Sequence, residues 1–551
     1  MKEIIRKKID AVIKKEFKIQ NLDYDILVPE REEFGDFSSN VAFVLAKELG
    51  KSPREIADAF VGAYCNTPLR EIDKIEVAGG GFVNFFLSGA VYEKELNIIL
   101  REKSKYSSTN LGKGKKIQVE FISANPTGPL TMGNGRGGFS GDTLANVLKK
   151  VGYDARREYY INDAGNQVQK ILAKSIYLAL GIKIETKEGE DIYKGDYIDF
   201  VARKIKKQKG LTWVNEHLEK TGEMGAKIIL DEFIKKDIKF FGIKYDRWFS
   251  ERSLFRDKLI HKMWDYLKAK KLVYELEGAY WLKTSEYGDE KDRVVKKSDG
   301  EYTYLMSDVA YFYERFLMRK FNKVVMILGA DHHGYVNRAQ AITEILGQKG
   351  KLKIILTQFV RLIADGKEVR MSKRRGTFIT LREAVEDLGV EASRYFFISR
   401  DSNSHIDIDL DLAKSQTNKN PVYYIQYASA RINSVLSKVK SSKLKGKNPK
   451  SQIPNPKQIL NSNDQNSKYE ISLIRKLSQY PELIKEVGES YEVYRLAFYA
   501  HELATVFHKF YDNCRIIGDE REIIRLKIIK ATKVILEDVL KLMGIEAKAK
   551  M

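Results

Sequence analysis

Two short segments of the chain carry residue types suited to binding nucleotide phosphates. The first, SANPTGPLTMGNGRGG, has Gly133 and Gly135, which let the backbone approach a ligand, and Thr131 and Asn134, which offer neutral hydrogen-bond donors. The second, RMSKRRG, is a cationic run in which Lys373 supplies a compact charge for phosphate oxygens. Either segment alone also fits a purely structural role, as a tight turn or a solvated surface. Their joint occurrence favours a nucleotide site.

The elements around the first segment predict a doubly wound parallel sheet. Residues 117–122 have the pattern of a buried strand, and after the glycine-rich loop a helix runs to about Lys150. The sheet resumes at 324–328, followed by the loop GADHHGY, a helix and the strand KIIL. A loop that follows a strand of such a sheet lies beside a helix amino terminus, where phosphates bind. RMSKRRG follows a hairpin that turns at Asp365-Gly366.

The whole chain is predicted to be a multidomain α/β protein. Residues 1–110 are expected to form an α+β domain, with a helix-capping box at Ser52–Glu55. Residues 111–414 are expected to form a Rossmann-like catalytic domain with a Lys-rich helical insertion at about 175–275. Residues 415–551 are predicted to be all-helical, with helices that begin at Pro421 or lie near 470–488, 491–512 and 520–543.

Composition and charge exclude several classes of protein. The 551 residues include 96 Lys and Arg against 75 Asp and Glu, a net charge of +21, and 43% of the residues are apolar. A small disulfide scaffold, a membrane protein and a fully disordered chain are therefore excluded. The charged amino terminus predicts a cytoplasmic protein with no membrane partner. The cationic surplus favours a nucleic-acid partner, with a Lys-rich surface kept for solubility as the alternative.

Resident metal sites are not expected. The two cysteines, Cys65 and Cys514, are isolated, so they cannot form a zinc ribbon. His332 and His333 suggest metal ligands, but no third ligand accompanies them at suitable spacing.

The signature segments resemble those of a known enzyme family. Ala124–Asn134 resembles the HIGH signature of class I aminoacyl-tRNA synthetases, and Arg370–Arg374 resembles their KMSKS signature. Nine segments along the chain are similar to arginyl-tRNA synthetases: EFGDFSSNVA, VEFISANPTGPL, REYYINDAGNQ, YTYLMSDVAY, GADHHGY, RMSKRRGTFITL, SHIDIDLDLA, NPVYYIQYASARI and FHKFYDNCRI. The chain departs from the family at Thr131 and Asn134, where histidines are usual, and at Arg370, where lysine is usual.

The resemblance implies a two-step reaction on three substrates. Arginine and ATP, with Mg²⁺, would give arginyl adenylate and pyrophosphate, and the arginyl group would pass to the terminal adenosine of an arginine tRNA, on a monomeric enzyme. The implied catalytic residues are Thr131, Gly133, Asn134, Met371, Ser372, Lys373 and Arg374. The implied ATP contacts are Gly128, Pro129, Thr131, Gly133, Asn134, Gly135, His332 and Lys373. The implied arginine contacts are Glu120, Ser123, Asn125, Tyr304, Asp308 and Asp331.

Recognition of an arginine side chain requires carboxylates. A guanidinium group has five donors and no acceptor, and a planar carboxylate matches its fork best. Asp308 lies four residues after Tyr304 on a predicted helix, so the two side chains share a face. By the resemblance this face contacts the guanidinium, and Glu120 and Asn125 hold the α-amino and backbone groups of the substrate.

The carboxyl-terminal and amino-terminal parts resemble the tRNA-binding domains of the family. The aromatic helix Tyr491–Tyr511 could stack unpaired anticodon bases, although an aromatic stripe at helical spacing is usually core. Sequence alone does not divide Phe507, Phe510 and Tyr511 between these two roles. The amino-terminal domain resembles the appended domain that reaches the tRNA elbow.

Three other functions are weighed against an arginine–tRNA ligase. A noncatalytic tRNA-binding paralogue, made inactive by Thr131 and Asn134, is the alternative that stays open. A nucleotidyltransferase acting on a small acid is disfavoured, because such an enzyme does not need the helical bundle or the +21 charge. A cysteine-specific synthetase would need a zinc–thiolate site that two isolated cysteines cannot form.

Overall fold

The computed structural model of the chain describes residues 1–29, 31–65, 71–163, 165, 167–186, 190, 192–369, 379–444 and 467–551. The strands are β1 (Ile26–Leu27), β2 (Phe37–Ser39), β3 (Ile72–Ala78), β4 (Phe82–Leu87), β5 (Lys116–Glu120), β6 (Asp154–Ile161), β7 (Arg247–Ser250), β8 (Val273–Leu276), β9 (Ala279–Leu282), β10 (Arg293–Lys296), β11 (Lys323–Gly329), β12 (Leu352–Thr357), β13 (Val360–Ala364), β14 (Lys367–Glu368) and β15 (Ile406–Asp409).

The α-helices are α1 (Lys2–Val12), α2 (Val41–Leu49), α3 (Pro53–Cys65), α4 (Gly89–Glu102), α5 (Met132–Lys150), α6 (Ala173–Ala179), α7 (Asp196–Lys209), α8 (Leu211–Glu216), α9 (Leu218–Ile229), α10 (Lys235–Phe240), α11 (Arg252–Arg256), α12 (Leu259–Ala269), α13 (Tyr304–Tyr313), α14 (Val336–Ile345), α15 (Leu381–Leu388), α16 (Val390–Ile398), α17 (Leu410–Lys414), α18 (Pro421–Leu444), α19 (Ser467–Ser478), α20 (Tyr480–Ser490), α21 (Tyr494–Asn513) and α22 (Glu522–Leu542). Short π-helical segments extend several of them, including Gln167–Leu172 and Glu314–Met318.

The amino-terminal part combines helices with an antiparallel sheet of order β1-β2-β4-β3. The predicted capping box opens α3: the Glu55 amide donates to Ser52 Oγ at 3.2 Å, and the Ser52 amide donates to Glu55 Oε2 at 3.3 Å. Gly81 turns the chain between β3 and β4 with φ near +140°, and a Cβ there would lie 2.9 Å from the Pro53 carbonyl oxygen. Only glycine fits such a turn without displacing α3.

The central sheet is parallel and five-stranded, of order β12-β11-β5-β6-β7. The chain builds outward from β5 through β6 to β7, and then returns to place β11 and β12 on the other side. The strand order therefore reverses between β5 and β11, where a doubly wound sheet opens a crevice. The predicted Rossmann-like fold class is confirmed.

Helix α5 lies unusually close to the strand that precedes it. A Cβ added to Gly141 would lie 2.2 Å from Phe121 Cγ, and one added to Gly138 would lie 2.9 Å from Ile122 Cδ1. The glycines of MGNGRGGFSG thus let the helix start directly above the end of β5. This close packing places Thr131 at the mouth of the crevice.

The structure corrects three sequence predictions. The region 175–275 is mostly helical, as expected, but it contains β7, the edge strand of the central sheet. The antiparallel sheet β8–β10 follows β7 in the chain and was not expected. The helix predicted at 470–488 is two helices, α19 and α20, because Pro481 has no amide hydrogen to continue the first of them.

Buried polar contacts join the three parts of the molecule. Asp538 on α22 accepts hydrogen bonds from Tyr480 at 2.8 Å and from Ser107 at 3.2 Å, and its carboxylate pairs with Lys150 of α5 at 2.9 Å. Asp36 of the amino-terminal part pairs with Arg475 of α19. The carboxyl-terminal helices are therefore fixed to both other parts. None of the helices within the described ranges combines the length and apolar character of a membrane span.

Candidate active site at the crevice of the parallel sheet

A cavity of about 640 Å³ opens where the sheet order reverses. Its walls come from the end of β5, the first turn of α5, helix α13, the end of β11 and the 3₁₀ turn Ala330–Tyr335. The predicted residues that line it are Glu120, Ser123, Thr131, Gly133, Asn134, Asp308, Asp331 and His332. Residues far apart in sequence thus meet in one cavity, because the parallel register sets Glu120 of β5 beside Met326 of β11.

One end of the cavity is buried and carries charge. Glu120 is only 4% exposed, and its carboxylate receives the guanidinium of Arg315 and the Ser123 hydroxyl, the latter at 3.1 Å. Ser123 Oγ also accepts from the Tyr160 amide at 3.0 Å, which fixes the serine between the two strands. Burial raises the pKa of Glu120, against the lowering effect of Arg315. Arg315 is fully buried, with its guanidinium 3.5 Å from the centre of the Tyr311 ring.

A second layer of charged residues supports this end, and sequence reasoning did not find it. Glu158 of β6 lies beside Glu120 in register and accepts hydrogen bonds from Tyr311 at 2.6 Å and from the Arg319 guanidinium. Paired with Arg319, Glu158 has a lowered pKa although it is buried. Buried charges need such partners, so the layer holds Arg315 and Tyr311 in place. The sequence signal for this layer is weak, since Glu158 lies far along the chain from Tyr311, Arg315 and Arg319.

Asp308 lies on α13 and faces this end of the cavity. Burial raises the pKa of its carboxyl to about 7, although Arg338, Arg315 and a hydrogen bond from Tyr335 act to lower it. A bound cation would bring this pKa down again. Tyr304, one turn earlier on α13, is 60% exposed and stands outside the lining of the cavity, next to Gly165.

Glu251 is a further acidic residue close to Asp308, behind the lining of the cavity, and it was absent from the sequence predictions. It follows β7, is 3% exposed, and burial raises the pKa of its carboxyl to about 7. Ser307 and Tyr160 hydrogen-bond to it, while the charges of Asp308 and Asp163 raise its pKa further. The sequence signal was hidden because β7 lies inside the region predicted to be helical. Glu251 thus joins Glu120 and Asp308 as a third carboxyl group with a raised pKa at this end.

The other end of the cavity is formed by the first turn of α5 and is open to solvent. Thr131 is the N-cap of α5, and Asn134 Oδ1 accepts from the Thr131 amide at 2.9 Å and from the Thr131 hydroxyl at 3.0 Å. The two residues that stand in place of the usual histidines therefore bond to each other. This arrangement leaves the side-chain nitrogen of Asn134 (Nδ2) and the first backbone amides of α5 as donors. They lie at a helix amino terminus, which is a favourable position for an anion.

The glycines of the signature have different environments. A Cβ on Gly133 would meet only Thr131 Oγ1, at 3.8 Å, so this glycine lies open beside the cavity. A Cβ on Gly135 would lie 2.6 Å from Leu381 Cδ1 and 2.8 Å from Phe397 Cε1, which makes close packing the reason for a glycine there. Gly135, Gly128 and Pro129 do not line the cavity formed by the described residues. Gly128 lies instead next to the Tyr197 hydroxyl.

The remaining predicted residues lie around the rim. The side chains of Asp331 and His332 are 70% and 56% exposed, with His332 Nε2 3.8 Å from Asp331 Oδ2. Asn125 donates through Nδ2 to Gln167 Oε1 at 2.7 Å, outside the lining of the cavity. Within the described ranges no three His, Cys, Asp or Glu side chains are placed to hold a metal ion.

The second signature, with Met371, Ser372, Lys373 and Arg374, lies outside the described residues. The chain that follows it begins α15, where the Leu381 amide donates to the Leu130 carbonyl at 2.8 Å. Leu130 directly precedes Thr131. The described chain after the second signature is therefore bonded to the first signature.

The aromatic residues of α21 divide between core and surface. Phe507 and Phe510 are fully buried, whereas Tyr511 is half-buried. The Arg431 guanidinium lies between two rings, 4.4 Å from the centre of Tyr427 and 4.7 Å from that of Tyr511. Of the three aromatic residues left open by the sequence, only Tyr511 faces outward.

Comparison with family models covers nearly the whole chain. Residues 2–87 match the arginyl tRNA synthetase N terminal domain, residues 95–434 the catalytic domain of class I tRNA synthetases (R), and residues 425–551 the DALR anticodon binding domain. The chain belongs to the arginyl-tRNA synthetase family. The resemblance found in its signature segments is thereby confirmed.

Individual members of the family are similar to this chain in sequence over nearly its full length. It is 42% identical to arginine–tRNA ligase 1 of Halalkalibacterium halodurans, over 95% of this chain and 93% of that protein. It is 38% identical to arginine–tRNA ligase of Bacillus subtilis, over 100% and 99% of the two chains. The solved arginyl-tRNA synthetase of Thermus thermophilus superposes with a TM-score of 0.74 at 22% identity, over 100% of both chains, which supports the shared fold.

Proposed function

We propose that the chain is an arginine–tRNA ligase, which activates L-arginine with ATP and transfers it to the 3′-terminal adenosine of an arginine tRNA. Full-length similarity to arginine–tRNA ligases supports this activity. The observation that carries the amino-acid specificity is an acidic pair: half-buried Asp308, which lines the cavity that also holds the first signature, and buried Glu251 behind it. A guanidinium group is the ligand that such a pair fits best.

In the proposed complex the arginine side chain points toward Asp308. Its guanidinium would donate to the Asp308 carboxylate, with the charge of Glu251 behind it, and both pKa values would then fall. The α-amino group would lie near Glu120, whose two oxygens are held in place by Arg315 and Ser123. This places the arginine carboxylate toward Thr131 and the start of α5.

The activation step would take place at the open end of the cavity. A carboxylate oxygen of arginine attacks the α-phosphorus of ATP, and the bond from that phosphorus to the pyrophosphate oxygen breaks. Asn134 and the free amides at the start of α5 would donate to the phosphate oxygens. Lys373 would stabilise the charge that grows on the leaving pyrophosphate, and Mg²⁺ would arrive bound to the ATP phosphates.

The transfer step uses the same cavity. The 2′-hydroxyl of the terminal adenosine attacks the arginyl carbonyl carbon, AMP leaves with the bonding electron pair, and the hydroxyl proton passes to the released phosphate. No covalent bond to the enzyme is needed, so the protein acts by positioning the substrates and stabilising charge. A monomeric state and a cytoplasmic location stay predictions. Sedimentation equilibrium would check the monomeric state.

Pyrophosphate exchange into ATP tests the proposal directly. We expect exchange with arginine and with none of the other nineteen amino acids, measured with and without added tRNA. If exchange occurs only when tRNA is present, the RNA must bind before arginine is activated. A folded sample that binds tRNA and yet exchanges with no amino acid would contradict the proposal and favour a noncatalytic tRNA-binding paralogue.

A further inference from the structure

Helix α5, which begins in the first signature, carries a buried arginine that the proposed reaction does not use. Arg136 lies two residues after Asn134 and is only 1% exposed. It is the one long side chain in the run GNGRGG. The glycines around it let α5 pack closely on its neighbours, as the 2.6 Å between a Cβ built on Gly135 and Leu381 Cδ1 shows. The guanidinium therefore extends from a tightly packed turn into the interior.

The Arg136 guanidinium binds three backbone carbonyls that lie far along the chain. Its Nη1 donates to the Gln358 carbonyl at 2.8 Å and to the Ser404 carbonyl at 2.6 Å. Its Nη2 donates to the Asp401 carbonyl at 2.6 Å. The planar guanidinium spreads its donors as a fork and can reach separate acceptors, whereas a lysine ammonium holds three donors at a single point.

Arg136 is a buried charge whose partners are peptide dipoles. It forms no ion pair with any residue in the described ranges. Burial lowers the pKa of its guanidinium to about 10, against the raising effect of the Asp401 charge, so the group stays charged at neutral pH. A buried cation requires polar groups in place of its lost water. Removing one of the three carbonyls would leave a donor of this cation unpaired, so the arrangement resists distortion.

The bound carbonyls lie just before two paired strands. Gln358 lies two residues before β13, and Ser404 lies two residues before β15. The strands pair in parallel, with Val360 opposite Ile406, and the Gln358 amide donates to the Ser402 carbonyl at 3.0 Å. One guanidinium therefore fixes the starts of both strands against α5.

These two strands border the active site. Residues 357–360 line the active-site cavity, and within them Phe359 is 61% exposed, with the His405 ring stacked on it at 6.4 Å between ring centres. Strand β14, which follows β13, ends at Glu368, two residues before the second signature begins at Arg370. The contacts of Arg136 thus hold a wall of the cavity and the base of the hairpin that precedes the second signature.

We propose that Arg136 is a positioning residue for ATP, which holds the wall 357–360 and the hairpin before the second signature at a fixed place relative to α5. The proposal rests on the proposed function, in which Asn134 of the first signature and Lys373 of the second act on the phosphates of one ATP. Arg136 does not line the active-site cavity itself, so it acts through the Gln358 carbonyl and the strands beyond it.

Arg136→Lys tests the proposal, because it keeps the charge and replaces the fork of donors by one ammonium. The KM for ATP in pyrophosphate exchange should rise by about tenfold, the scale of one hydrogen bond to a charged group, and KM for arginine should stay within about twofold. The ATP affinity measured by calorimetry should fall by the same factor. A lower rate with both KM values and the ATP affinity unchanged would show a loss of folded enzyme only and refute the proposal.

Arg136→Ala allows the missing group to be supplied from solution. Arg136 also lines a cavity of about 230 Å³, bounded by β12, residues 400–403 and residues 490–494, through which a small cation can reach the vacated place. Guanidinium ion should restore most of the ATP affinity, whereas tetramethylammonium, which has the same charge and no N–H donor, should not. No difference between the two cations would overturn the proposal. If the alanine variant does not fold, Arg136→Lys alone decides.

Arg394→Lys is the matched control. Arg394 is also 1% exposed and binds the carbonyls of Phe241 at 3.1 Å and Met543 at 3.0 Å, together with the Asp142 carboxylate, but it joins α16 to the ends of α10 and α22. We expect a loss of thermal stability with KM for ATP unchanged. A rise in KM for ATP as large as that in Arg136→Lys would refute a specific role of Arg136. Wild-type enzyme that binds ATP but exchanges with no amino acid would contradict the ligase function, while the ATP affinities would still decide the role of Arg136.

Discussion

The two ends of the active-site cavity are built in opposite ways. At the buried end, Glu120 and Arg315 pair with each other, and a further layer of charges supports them. At the open end, Asn134 Oδ1 accepts from the Thr131 amide and hydroxyl, and the Asp331 and His332 side chains are more than half exposed. One end is preorganised by its network of partners, while the other offers donors at a helix terminus.

This difference follows from what each substrate requires. Arginine must be distinguished from other amino acids, and buried polar groups left unpaired by a wrong ligand impose a large penalty. ATP needs stabilisation of a charge that develops only during the reaction, which accessible helix amides and a lysine supply. Substitutions at the buried end should therefore alter specificity, and those at the open end should alter rate.

The largest effect is expected for Asp308→Ala. Removing one partner of a buried guanidinium–carboxylate pair costs several kcal/mol, so kcat/KM for arginine should fall by roughly a hundredfold to a thousandfold while KM for ATP changes little. Steady-state kinetics with each substrate varied would measure this. The matched carboxylate is Asp331 at the exposed rim, and Asp331→Ala should cost less than about tenfold. Equal losses for arginine and ATP in Asp308→Ala would contradict the contrast between the two ends.

Lys373→Ala should slow adenylate formation by roughly a hundredfold, the scale observed when one electrostatic stabiliser of a transition state is removed. Arginine affinity and thermal stability should remain at the wild-type level, as measured by calorimetry. Lys367→Ala, an exposed lysine of the preceding hairpin, is the control and should have no effect on the rate. A preserved rate in Lys373→Ala would show that the second signature does not act on the phosphates.

Arginine binding should depend on pH because the pKa of Asp308 is raised to about 7 in the free enzyme. A bound guanidinium favours the ionised carboxylate and lowers this pKa, so affinity should be full above pH 7 and fall by up to about tenfold per unit below it. Calorimetry in buffers of different ionisation enthalpy should show proton release on binding near pH 6. Asp308→Asn should remove most of this dependence, and Glu251→Gln should remove the remainder. Affinity that is flat between pH 6 and 8 would refute the assignment.

The smallest effect on activity is expected for Gly135→Ala. Its new Cβ would press on Leu381 and Phe397, which should lower the free energy of unfolding by about 1–3 kcal/mol, as overpacking does. Because Gly135 does not line the cavity, KM for ATP should stay within about threefold of the wild type at temperatures where the variant is folded. Denaturant unfolding and ATP kinetics would separate the two roles. A large rise in KM with unchanged stability would restore Gly135 as an ATP contact.

Features that depend on neighbouring residues were predicted well from the sequence. The capping box of α3 and the strand–loop–helix around Thr131 are local patterns, and the structure confirms them. Glu120, Ser123 and Asp308 were also predicted, and the structure brings them to one cavity. Their roles as arginine contacts stay predictions that the kinetics above would test.

Features that depend on distant partners were missed. The four-residue strand β7 has no periodicity that separates it from the helices around it, and it exists because β6 provides its hydrogen bonds. Missing β7 also hid Glu251, which follows it. The pairing of Glu158 with Arg319 was equally invisible, since neither residue type indicates a buried partner on another element.

The sequence by itself determined the family, the glycine-rich signature loop and the need for a carboxylate beside a guanidinium, because these depend on residue type and short spacing. Only the tertiary structure decided which carboxyl groups are buried, which cations compensate them and which glycines serve packing. It also decided that Thr131 and Asn134 bond to each other. The reason is physical: desolvation and charge pairing act through space, and the folded chain alone sets those distances.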